Sequence, residues 1–103
     1  MSGPAAAPDT DLLAMAREEL ERALDLDWRA LAKVVPWGDS FEGVSPGGRD
    51  VLVERAYLWQ AGPEGDILCE IEVADLAGRG LPPARLEAVI AHPAAVGASG
   101  RPR

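Results

Sequence analysis

The sequence predicts an α+β fold in which an N-terminal helix packs across one face of a three-stranded antiparallel meander, followed by a short C-terminal helix. Three observations carry that expectation. Apolar residues recur at three- and four-residue steps between Leu13 and Val35, alternation replaces them after Pro36, and two strand-like segments flank a loop of hairpin length. With 103 residues, 48% of them hydrophobic and 26% charged, the chain has the composition of a globular protein and room for one core.

The helix is expected to begin near Asp9-Thr10-Asp11, where capping side chains precede the apolar period and carboxylates suit the positive end of the helix dipole. Leu13, Ala16, Leu20, Leu24, Trp28, Leu31 and Val35 then share one face, with Glu18, Glu21, Arg22, Asp25 and Arg29 opposite. Pro36 forbids continuation. Either one long helix or two shorter ones fit this period. Asp25-Leu26-Asp27 favours a break, because Asp27 is a good cap for a second helix starting at Trp28.

Residues 40–44 form a weak strand, and Ser45-Pro46-Gly47-Gly48 is a turn signal. Residues 50–60 make the strongest strand, rich in β-branched and aromatic side chains. After the loop Ala61-Gly62-Pro63-Glu64-Gly65, residues 66–74 form its antiparallel partner. In that partner Ile67, Cys69, Ile71 and Val73 belong to the core, which turns Glu70 and Glu72 outward. Pairing Arg55 with those glutamates sets Leu52, Ala56 and Leu58 against the helix and leaves Tyr57 and Trp59 outside; the opposite parity would oppose Glu54 to Glu72. Past the breaker segment Gly78-Arg79-Gly80-Leu81-Pro82-Pro83, Pro83 opens a helix over residues 84–91 with Leu86, Val89 and Ile90 on its apolar side. Residues 9–92 are thus one domain. Residues 1–8 and 93–103, small and Pro- or Gly-containing without apolar period, are expected to be disordered.

Charge narrows the partners. The net charge is −7, and residues 1–78 hold sixteen carboxylates against six cations, whereas residues 79–103 carry four arginines against Glu87. An acidic body disfavours nucleic acid, whose phosphates require cations. The run from Leu12 to Ala16 is cut off by Arg17-Glu18-Glu19, too short for a signal core or a membrane span. A single cysteine, Cys69, suits a reducing cytoplasm.

No motif names a reaction. One His and one Cys far apart are a poor metal set, and Asp39, Glu42 and Asp50 lack the spacing and central Gly of a calcium loop, so neither metal nor cofactor is expected. Cys69, alternating with isoleucines, reads as a core thiol and not as a nucleophile served by His92. Gly78-x-Gly80 lacks the remainder of a phosphate cradle. Glu70 and Glu72 are the one chemically plausible carboxylate pair, and the salt-bridged outer face of a half-solvated sheet is the simpler account of them. Trp59 with Tyr57 and Arg55 has the composition of an interface hot spot, and Trp37 on its turn is placed to plug the end of the core or to stand exposed, a core reading that Trp59 shares. Together with Glu70 and Glu72 they are the expected partner-binding residues. The function expected is a small accessory or regulatory protein that binds another protein, or a second copy of itself, through an uncovered sheet face and the Trp37 loop. A small homodimeric ligand-binding protein or enzyme using the sheet-face carboxylates is the alternative, and an acidic mimic of nucleic acid the third reading.

Overall fold

The structure is a computed structural model that describes residues 9–78 and 80–93; the disorder expected of residues 1–8 and of the tail past Pro93 falls on residues outside this range. Helix α1 (Thr10–Leu24) and the short α2 (Trp28–Ala32) precede four strands, β1 (Trp37–Val44), β2 (Asp50–Trp59), β3 (Ile67–Asp75) and β4 (Ala84–Ile90). The strands form one antiparallel sheet in the order β1-β2-β3-β4. The fold is therefore α+β, as its periodicity indicates, with a fourth strand where a C-terminal helix was expected.

The helical region divides at the expected place. Asp9 caps α1 by accepting from the Asp11 and Leu12 amides, and Asp27 caps α2 by accepting from the Ala30 amide. The face that α1 buries is offset from the expected one: Leu12, Met15, Ala16, Glu19 and Ala23 are buried, Leu13 and Leu20 are half-buried, and Leu24 is 45% exposed. The apolar stripe of α1 is wider than the sheet surface beneath it.

Beyond a cis Val35–Pro36 bond, β1 begins at Trp37, three residues earlier than expected. It turns back through residues 45–49, where the Gly48 amide donates to the Ser45 carbonyl and Gly48 takes a φ of 90°. That turn is fastened to the start of α1. Asp11 accepts from the Ser45 hydroxyl and the Gly47 amide at 2.7 Å, while Arg49 Nη2 donates to Asp9 at 2.8 Å.

Two corrections concern the sheet. Residues 84–90 carry good helix formers, yet they alternate, with Ala84, Leu86, Ala88 and Ile90 on the helix side and Arg85, Glu87 and Val89 on the other. A seven-residue run with both periods is settled by the backbone groups it can pair with, here the outer edge of β3. The second correction is the parity of β2. Val51, Val53, Arg55, Tyr57 and Trp59 share the inner face with Ile67, Cys69, Ile71 and Val73, and Leu52, Glu54, Ala56 and Leu58 lie outside. This parity buries Val51, Val53 and Tyr57 and leaves Leu52 and Leu58 half-buried on the other face, and it forgoes only a solvent-exposed Arg–Glu pairing worth about 0.5 kcal/mol. The opposition of Glu54 to Glu72 that this parity entails is present.

Candidate interaction surface

Among the described residues the helices cover one face of the sheet and leave the other bare. On the bare face, cross-strand pairing arranges side chains in rows. Ser40, Glu54, Glu72 and Arg85 follow one another from β1 to β4, and Ala56, Glu70 and Glu87 make the adjacent row. Leu58, Leu68 and Val89 form an apolar row at the end of the sheet, with Val89 41% exposed. At the other end Leu52 stands between Glu42 and Ala74. Arg85 Nη1 lies 3.5 Å from Glu72 Oε1, and Arg85 is the one cation the four strands place on this face. Residues 54–56 and 70–72 together with Arg85 line a shallow depression of about 180 Å³.

Of the six residues singled out from sequence, only Glu70 and Glu72 lie on this bare face. Trp37, Arg55, Tyr57 and Trp59 are on the helix side, so the expected constellation is divided between two faces of the sheet. Trp37 is not on a loop: it opens β1 and stacks on Tyr57 with ring centroids 5.0 Å apart. Trp59 packs near Trp28, whose indole N–H donates to the Gly65 carbonyl at 2.9 Å. Leu58, Arg85, Glu87 and Val89 also lie on this face, where the sequence did not place them. Alternation over residues 84–90 was the signal that would have found three of them.

Arg55 has an internal role. Its guanidinium meets the Asp39 carboxylate with two hydrogen bonds, Nε to Oδ1 at 2.8 Å and Nη2 to Oδ2, and lies over the rings of Trp37 and Phe41. Glu19, only 5% exposed, approaches Arg55 Nη1 at 3.6 Å and is also bonded by Arg22. The hydrogen bonds from Arg55 hold the Asp39 carboxyl below its usual range, and Asp39 in turn raises the guanidinium pKa. Charges and partners balance within this cluster, which ties α1 to β1 and β2.

Burial pushes the Cys69 thiol up to about 11, as suits a core side chain and not a nucleophile. Cys69 pairs with Ala88, whereas His92 lies two residues beyond the Ile67–Ile90 pair, with its ring 4.4 Å from that of Trp28. Among the described residues no group of three or more His, Cys, Asp or Glu side chains is arranged to hold a metal ion, and no helix is long and apolar enough to cross a membrane. Comparison of the chain with protein-family models, with curated proteins and with solved structures returned no match.

Proposed function

We propose that this protein is a small acidic accessory protein that binds another protein through the bare face of its sheet, receiving a surface that is basic at its centre and apolar at its border. A reducing cytoplasm is the compartment that suits its one buried, unpaired cysteine. The observation that carries the reading is Glu54 standing directly opposite Glu72 on neighbouring strands. Like charges so placed destabilise a sheet by about 0.2–1 kcal/mol, a cost that a cationic partner removes. The apolar row of Leu58, Leu68 and Val89 supplies the desolvated contact that charge alone does not. The depression between the glutamates, about 180 Å³, is smaller than the roughly 300–1,000 Å³ of typical small-molecule pockets, which counts against a small ligand held by the sheet-face carboxylates.

The test replaces the opposed carboxylates without altering shape. Tagged wild-type protein and the Glu54→Gln/Glu72→Gln variant are recovered gently from the host extract and weighed by native mass spectrometry. The wild type is expected to carry a stoichiometric second protein that half-molar salt removes, and the variant to lose it while keeping its circular dichroism spectrum. Equal recovery of the same partner by the variant would sink the proposal.

A further inference from the structure

Among the described residues nothing pairs with the outer edge of β4. We propose that two copies of this chain associate through antiparallel pairing of β4 with β4 about a two-fold axis at Leu86, making one eight-stranded sheet with both α1 helices on the same side.

Backbone phase comes first. The Gln60 amide donates to the Asp66 carbonyl and the Leu76 amide to the Asp50 carbonyl, so even-numbered residues of β2 and β3 turn their amides and carbonyls toward each other. Odd-numbered residues of β3 therefore turn toward β4. Since Cys69 pairs with Ala88 and Ile71 with Leu86, the even-numbered residues of β4 are used up by β3. Arg85, Glu87 and Val89 thus present their amides and carbonyls at the outer edge, and β4 is the last strand of the sheet.

Register comes next. A two-fold pairing must join these odd-numbered residues to one another. Centring it on Arg85 or on Glu87 opposes like charges on the axis. Centring it on Leu86 sets Arg85 opposite the second copy's Glu87, twice over, and Leu86 opposite its own copy. Each Glu87, which faces Glu70 within its own chain, then gains an arginine on its other side.

The helix provides the third observation. Met15 lies over Gly43 of β1, and Glu19 reaches Arg55 of β2, so this flank of α1 faces β1. The opposite flank, about half a turn away, carries Leu13, Leu20 and Leu24, half-buried or exposed, above the β4 side of the sheet. Sheet continuation brings these two leucine flanks together over the Leu86 pair. The surplus apolar width of α1 is thereby covered. At the β1 edge the corresponding flank of α1 offers the Glu19–Arg22 pair, which does not call for burial against a copy.

Sedimentation velocity of the purified full chain tests this independently of any other partner. The expected species at tens of micromolar is a dimer of twice the 10.9 kDa chain mass. Glu87→Arg opposes arginines across the axis and raises the dimer dissociation constant by about tenfold or more; Arg85→Glu/Glu87→Arg restores the wild-type value. Glu87→Pro removes an amide that β3 does not use, and gives a monomer with an unchanged circular dichroism spectrum. A wild-type monomer at 100 µM or above overturns the proposal, as does a dimer whose affinity none of these changes alters.

Discussion

At Arg55 an isolated cation on an apolar strand face has been made tolerable by its surroundings. Two hydrogen bonds donated to Asp39, the approach of Glu19 and the faces of Trp37 and Phe41 account for its charge and its stem. Removing the cation leaves Glu19 buried beside Arg22 alone and Asp39 without its fork. Arg55→Met is therefore expected to cost about 2 kcal/mol. That is less than the 3–5 kcal/mol of a fully buried pair, because the Arg55 side chain is 25% exposed and Asp39 somewhat more so. Urea unfolding measures this, and a loss under about 0.5 kcal/mol would show that solvent already screens the cluster. The sequence showed the composition of this cluster but not its direction. Arg, Tyr and Trp at alternate positions mark an interface or an interior aromatic cage equally well, and only the face they share with Val51 and Val53 decides.

Among the elements, the start of α1 and the β1–β2 turn are stabilised by the same side chains. Asp9 caps the helix and also receives Arg49, and Asp11 holds both Ser45 and Gly47. Removing such a cap also removes the link to the hairpin. Asp9→Ala is expected to lower the urea midpoint and to raise hydrogen-exchange rates at both the first turn of α1 and residues 45–49. Faster exchange in the helix alone would show that the link to the turn contributes nothing. Asp9 was legible as a cap from its position before the apolar period, but its second partner is forty residues away. The same asymmetry explains β4. Its local sequence permits a helix, and the unpaired edge of β3, remote in sequence, requires a strand.

For the whole molecule, the shifted titrations set how stability varies with pH. The Asp39 and Asp9 carboxyls lie below their unfolded values in the folded state, through hydrogen bonds from Arg55 and Arg49 respectively. Their contribution is present above about pH 4 and is lost as pH falls through the lower folded values. Cys69 works in the other direction. Its thiol ionises near 9.0 when unfolded and about 11 when folded, so between those values the unfolded chain sheds a proton that the folded one keeps, and stability declines. Tyr57, raised by desolvation, adds a second alkaline component beginning near 10.0. The urea midpoint is expected to fall at both ends of the pH range, and Cys69→Ala to delay the alkaline fall by about one pH unit. An unchanged alkaline limb in that variant would show that the thiol does not report on folding.

Short-range physics was enough for part of this protein. Capping carboxylates, the three- and four-residue period, Pro36 and the turn at residues 45–48 determined where the helices stop and the sheet begins. Alternation made β3 unambiguous, because one of its faces is wholly apolar. Three things were left to tertiary structure. The parity of β2 depended on whether Val51 and Val53, with Arg55 beside them, or Leu52, Ala56 and Leu58, with Glu54, went inside, which is a comparison of burial with charge pairing across strands. The identity of residues 84–90 depended on a backbone edge supplied by another element. The composition of the bare face followed from both, since reversing one strand and adding another exchanged an aromatic surface for an acidic one bordered by leucines. In each case the local signals were nearly balanced, and the deciding energy came from residues distant in the chain.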